Sequence, residues 1–210
     1  MTGKRNFKMT TNGQISTKVI TGKVRFSFCH LFTPTTFAEG QTPKYSIALL
    51  IDKNDEKTIG VIEQAYENAK QAGIQKYGQR FTSLANDLFA KPGDKLGIIK
   101  DGDSDPRYNE NDCNHGKYIL NAKCSQAPGV FAKECGSMQL TQAQEEILYS
   151  GCYGKASINF YPFQQAGNTG IGVGLNNVLK IMDGDNLGGR VSGTVDFKED
   201  LNDAEDDLLG

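Results

Sequence analysis

The 210-residue chain has no tryptophan, only two histidines and only six prolines. Any aromatic recognition must therefore come from its eight tyrosines and eleven phenylalanines. No segment approaches the run of about 18 apolar residues that crosses a bilayer as a helix. No apolar block follows Lys4, Arg5 and Lys8, so a secretory signal is not expected. Five cysteines, an odd number without an export signal, read as free thiols in a reducing cytoplasm. Phosphate-binding loops of the G-x-x-x-x-G-K-[ST] or G-x-G-x-x-G kind are missing. No Ser-His-Asp or Cys-His-Asp grouping is evident, so no catalytic residue is assigned and the chain is read as a non-enzyme. Cys113, His115, Cys124 and Cys135 lack the close cysteine pair of a zinc site. Asp101-Gly-Asp103-Ser-Asp105 opens like a calcium loop, but Pro106 stands where the turn needs glycine. Neither a metal nor a cofactor is expected.

What is present is an uneven distribution of charge. The formal net charge of −2 conceals a segment from Asp196 to Gly210 with seven acids and only Lys198 to oppose them. Residues 1–44 hold seven basic side chains and a single acid, Glu39. A basic body joined to an acidic tail points to a polyanionic partner and to a tail that mimics it.

Periodicity gives the elements. Residues 1–14 read as a flexible arm. From Ile15 to Phe32 the pattern is that of a strand, with Val24, Phe26, Phe28, His30 and Phe32 on one face and Lys23, Arg25, Ser27, Cys29 and Leu31 on the other. A second strand covers Lys44 to Ile51. Asp52 then opens a helix in which Ile59, Ile62, Tyr66 and Ala69 recur at helical spacing, with Gly73 as its stop. Residues 79–115 are rich in Asn, Asp, Gly and Pro and read as a loop-rich insertion with a short strand at Leu96–Lys100. Further strands are expected at Gly116–Ser125 and Gly129–Lys133, a helical turn at Gln142–Leu148, and a long hairpin of Cys152–Phe163 and Gly170–Ile181. The expected fold is mainly β. It is an OB-fold-like barrel of five to six strands with one main helix, spanning 15–195 and followed by a disordered acidic tail, 196–210.

The hairpin's first strand carries the strongest chemical pattern. Cys152, Gly154, Ala156, Ile158 and Phe160 form a small-to-apolar face suited to a barrel interior. The opposite face holds Tyr153, Lys155, Ser157, Asn159, Tyr161 and Phe163. Rings interleaved with a cation and amide groups suit single-stranded nucleic acid, whose bases stack and whose phosphates need neutralising. Equally, Tyr161 and Phe163 would serve to cover a second small core. Lys23, Arg25, Lys44, Lys155 and Lys180 are the candidate phosphate contacts, Asn159 a hydrogen-bonding group, and Tyr45, Tyr153, Tyr161 and Phe163 the candidate stacking platforms. Tyr45 alternates with Ile47 and Leu49, which would also fit a core position. The glycines at 170, 172 and 174 read as a place of tight curvature or close approach.

Five segments in order, T-G-K-V-R-F-S at Thr21–Ser27, P-K-Y-S at Pro43–Ser46, S-G-C-Y-G-K-A-S-I-N-F-Y at Ser150–Tyr161, G-L-N-N-V-L-K at Gly174–Lys180 and D-G-D-N-L-G-G-R at Asp183–Arg190, resemble phage-encoded single-stranded DNA-binding proteins built on the oligonucleotide-binding fold. The resemblance implies sequence-independent coating of exposed DNA during phage replication or recombination in the infected host's cytoplasm, without catalysis. It further implies that the tail meets phage or host replication proteins. A homodimer is left open, and no membrane partner is implied. The competing reading is an OB-fold interaction or assembly protein with no nucleic-acid role.

Overall fold

Alternation of small and bulky apolar residues on successive strands closes a barrel. In a computed structural model the described residues are 16–36, 39–165 and 167–188, so the expected arm and acidic tail lie outside them. The strands are β1 (Lys18–Ile20), β2 (Val24–Thr35), β3 (Lys44–Asp52), β4 (Ile99–Asp101), β5 (Lys117–Cys124), β6 (Gly129–Ala132), β7 (Tyr153–Gln165) and β8 (Asn168–Met182). Helices α1 (Glu56–Tyr77) and α2 (Phe81–Leu84) follow β3. Going round the barrel, β2 pairs with β3, β3 with β5, β5 with β8, β8 with β7, and β7 back with β2. Every pairing in that circuit is antiparallel except β5–β8, a parallel contact at Lys123↔Gly174. The strands β1, β4 and β6 extend the edges, giving eight strands where five to six were expected.

The interior is built from Phe26, Ile47, Leu49, Leu120, Ile158 and Phe160, each at most 1% exposed. Burying one such side chain stabilises the fold by about 1.5–3 kcal/mol. Small residues on β7 make room for the large ones: a Cβ on Gly154 would stand 2.6 Å from the Phe26 ring. The single long strand expected from Ile15 breaks at Gly22, whose N–H donates to Thr58 Oγ1 at the start of α1.

Helix α1 is capped by Asp55, which accepts from the Thr58 amide at 3.0 Å, rather than by Asp52. Asp52 instead accepts from Lys117. The helix also runs past Gly73 to Tyr77 and ends at Gly78, where φ is 85°. Gly73 is buried because the Phe81 ring of α2 lies against it. Its glycine therefore serves close packing and not termination.

The largest departure from simple alternation is in β2. Its register against β3 shifts between Ser27 and His30, a β-bulge. The parity of the strand flips there. Leu31 goes into the core at 2% exposure, and Phe28, expected inside, is 65% exposed. Phe28 has φ of 48°, the one positive value among the described non-glycine residues. That conformation costs an L-residue about 1–2 kcal/mol.

The 79–115 segment carries α2 and β4 and contributes Phe81, Leu88 and Ile99 to the main core. Tyr108 and Cys113, together with Leu187 from beyond β8, cover a small outer cluster of Ala48, Leu50 and Ile119. The aspartates that open like a calcium loop are held by basic partners. Lys53 Nζ donates to Asp101 and Asp103 at 2.6 Å each, and Arg107 pairs with Asp105. The Asp103 carboxyl is held well below the usual range by Lys53, by the Gly116 amide and by His115.

Candidate nucleic-acid interface

Paired residues in neighbouring strands share a face, so sheet register shows which side chains form a row. One row runs round the outside of the barrel through six strands. Lys18 of β1 is opposite Asn159 of β7, Asn159 opposite Gly174 of β8, and Gly174 opposite Lys123 of β5. Lys123 is opposite Ser46 of β3, and Ser46 opposite His30 of β2. Polar or basic side chains, with one glycine between them, thus form a belt, in which Ser46 is buried, Asn159 and His30 are half-buried, and Lys18 and Lys123 are exposed. Neither Lys18 nor Lys123 is apparent from the sequence, because each joins the belt only through a neighbour distant along the chain.

A groove of about 460 Å³ opens along this belt, lined among others by Lys44, Asn121, Lys123, Asn159 and Tyr161. Lys44 and Lys123 are both exposed. Partial burial, and then the proximity of the Lys44 charge, lower the pKa of Lys123. Two ammonium groups that repel each other are relieved by an anion between them.

The glycines at 170, 172 and 174 form the floor of this region. An added Cβ on Gly172 would lie 2.6 Å from the Tyr161 ring, on Gly174 2.7 Å from Asn159 Oδ1, and on Gly170 3.2 Å from the Phe163 ring. The side chains of β7 thus rest across the bare backbone of β8. Tyr161 remains 43% exposed, and its ring centre is 6.5 Å from that of the half-buried Phe163. The chemistry available here is charge neutralisation by amines beside an aromatic face, with amide groups between them.

A second cluster has a different character. Lys23, Arg25 and Tyr153 gather where β2 meets β7, with the two cations 5.8 and 5.5 Å from the Tyr153 ring centre. Residues 183–188 cross this cluster as a strap. Arg25 donates to the carbonyl oxygens of Gly151 at 3.1 Å and Asp185 at 2.9 Å, leaving its side chain 14% exposed. Gly184 packs on the Tyr153 ring, where a Cβ would come within 2.7 Å. Leu187 then anchors the strap on the outer cluster of Ala48, Leu50 and Ile119. Lys23 and Lys155 are exposed.

Two expected residues stand elsewhere. Lys180, expected to meet phosphate, shares the inward parity of Val178 and is 4% exposed. It donates to Glu134 at 2.8 Å and pairs with Asp183 at 2.7 Å. Burial opposes its charge, but these two carboxylates outweigh that and raise its pKa. Tyr45 keeps the inward parity of Ile47 and Leu49, is half-buried, and pairs with Cys124. A register shift in β7–β8 between Ser157 and Ile158 sets which residues of β8 face inward.

Among the described residues no helix is long and apolar enough to cross a membrane. The profile of a family described as "Enterobacter phage Enc34, ssDNA-binding protein" matches residues 17–209. Protein p50 of Acyrthosiphon pisum secondary endosymbiont phage 1 is 28% identical over 193 residues, covering 91% of this chain and 98% of that protein. The solved single-stranded DNA-binding protein from bacteriophage Enc34, in complex with ssDNA, is similar at a TM-score of 0.64 and 26% identity, over 82% of this chain and 90% of that one. A single-stranded DNA-binding protein encoded by bacteriophage T7 shares the fold at a TM-score of 0.52 and 12% identity, over 86% of this chain and 94% of that one.

Proposed function

Because this chain belongs to the Enterobacter phage Enc34 ssDNA-binding family, we propose that it coats single-stranded DNA without sequence preference along the belt between Lys18 and His30. The family is one of DNA-binding proteins, not a class of enzymes, and the chain acts by occupancy in the infected host cell during phage replication or recombination. The observation that carries this reading is the belt itself, a basic and amide row beside a ring that lies open on one side. Lys18, Lys44 and Lys123 neutralise phosphates, and Lys23 and Lys155 extend the positive surface. Asn159 bonds the backbone or a base edge. Tyr161, flanked by Phe163, supplies the stacking face, worth about 1–3 kcal/mol per base and indifferent to sequence. Arg25, Tyr153 and Tyr45 are supporting residues, and Lys180 is structural.

The test is titration of tyrosine fluorescence with poly(dT) at several salt concentrations. Five phosphate contacts at about −0.7 each give a log K against log salt slope of about −3.5. A flat salt response, or no binding at all, would refute the reading.

The acidic segment from Asp196 acts as an intramolecular competitor for the belt and, once displaced, as a contact for replication proteins. The strap supports this, since it ends with Leu187 against Ala48, two residues along β3 from the belt's Ser46. Truncation after Val195 then tightens DNA binding most at low salt. Unchanged low-salt affinity in the truncated protein would remove the competitor role.

A further inference from the structure

We propose that Phe28 is a base-stacking residue at the β2 end of the belt, a role that rests on the single-strand reading above. Three observations converge on it. Phe28 is the most exposed aromatic side chain among the described residues, at 65%. It also holds the one positive φ among the described non-glycine residues. Glycine or asparagine would occupy that position with less strain. A strained backbone that turns a large apolar ring into water opposes stability twice, and such outliers concentrate at ligand contacts.

The third observation is position. The bulge that ejects Phe28 lies between the pairs Ser27↔Ala48 and His30↔Ser46, and Ser46 is in turn opposite Lys123. The ring therefore stands in the bulge, beside the last residues of the belt, Ser46 and His30. A cleft of about 320 Å³ opens beside His30, with Leu31, Phe32, Leu148, Tyr149 and the acid Glu145 in its lining. His30 belongs to both belt and cleft.

The surroundings favour a nucleobase over a protein. A protein-docking patch presents contiguous apolar surface. Phe28 is instead beside Ser27, His30 and Ser46 in the register, and Ala48 and Leu50, further along the same face of β3, are already covered by Tyr108 and Leu187. A single exposed ring beside polar groups is what a base needs, a flat face to stack on, and Lys123 lies one strand beyond Ser46 for its phosphate. Tyr161 at one side of the Lys44–Lys123 pair and Phe28 at the other would then hold bases on both sides of the same phosphate cluster.

The absence of tryptophan makes this directly testable, because Phe28→Trp would carry the chain's sole indole. Its fluorescence is expected to be quenched on adding oligo(dT), in parallel with binding measured by gel shift. Phe28→Gly removes the ring and relaxes the backbone. It is expected to weaken oligo(dT) binding about tenfold while its Tm stays level or rises. Phe28→Tyr should bind within about twofold of the native protein. Emission from Phe28→Trp that does not change at saturation, or native affinity in Phe28→Gly, would overturn the role. A Tm lowered in Phe28→Gly with unchanged affinity would assign the ring to packing and overturn it equally. If the native protein itself fails to bind oligo(dT), it is the single-strand reading that falls, so the two failures are distinguishable.

Discussion

The belt and the strapped cluster hold similar residue types and differ in what lies over those residues. Along the belt, Lys44 and Lys123 line an open groove, and Tyr161 lies over glycine with much of its surface in water. In the strapped cluster, the guanidinium of Arg25 is committed to two backbone carbonyls, and the ring of Tyr153 is covered by Gly184 on one side and approached by two cations. The difference teaches that a sheet's cations and rings cannot be counted as a binding surface until their existing partners are known. A charge already solvated by fixed dipoles has less to gain from a phosphate.

The contrast can be broken by mutation. The largest effect is expected from Lys44→Ala combined with Lys123→Ala. Affinity for poly(dT) should fall about fiftyfold at about 50 mM salt, and the salt slope should flatten by about 1.4. Retention of the full slope would mean that neither amine meets phosphate. Next comes Tyr161→Ala, with a loss of about tenfold and an unchanged Tm, against a change of no more than about twofold for Tyr153→Ala. Equal losses at the two tyrosines would erase the distinction between the clusters. Gly172→Val is expected to lift the Tyr161 ring from its seat and weaken binding about threefold, a misplacement smaller in effect than removing the ring. Circular dichroism would show whether the barrel itself is retained.

The smallest effect sharpens the assignment of Lys180. Lys180→Met should lower stability by about 1 kcal/mol, since its carboxylate partners are largely solvated, and should leave the DNA salt slope alone. The acid response gives a second measure. Hydrogen bonding from Lys180 lowers the pKa values of Glu134 and Asp183 from 4.5 and 3.8. Depressed carboxyl values stabilise the folded state above those ordinary values, and the contribution is lost as pH falls through the folded ones. Thermal melts between about pH 5 and pH 3 should therefore decline more steeply for the native protein than for Lys180→Met. Parallel declines would show that the ion pair contributes nothing.

How much of this was legible in the sequence depended on whether a residue's surroundings were local. The inward face of β7 was readable because strict alternation from Cys152 to Phe160 leaves one arrangement for a half-buried strand, and all five inward residues are buried. Phe28 was misread for the same reason. It continues the spacing of Val24 and Phe26, and a bulge leaves no mark in alternation until the strand beyond it is paired. Gly73 had the residue type of a helix stop and the neighbourhood of a packing contact, decided by Phe81 from another element. Lys180 had local signals, its parity with Val178 and Asp183 three residues on, but its other carboxylate partner, Glu134, is brought to it by the β6–β8 pairing. The belt was the least legible feature. Lys18 and Lys123 come together with Asn159 only through the β1–β7 and β5–β8 pairings, each across more than thirty residues of chain, which composition and periodicity do not encode.

The bare stretch of β8 has an energetic corollary. A surface ring ordinarily samples several rotamers, and a ligand that stacks on it must restrict them, at a cost of about 0.5–1.5 kcal/mol for each side chain fixed. Tyr161 rests against backbone where a methyl group at residue 172 would collide, so its freedom is already curtailed when the hairpin folds. The entropy of aligning the aromatic face is spent during folding, once per molecule, and an incoming base meets a surface that no longer has to be ordered.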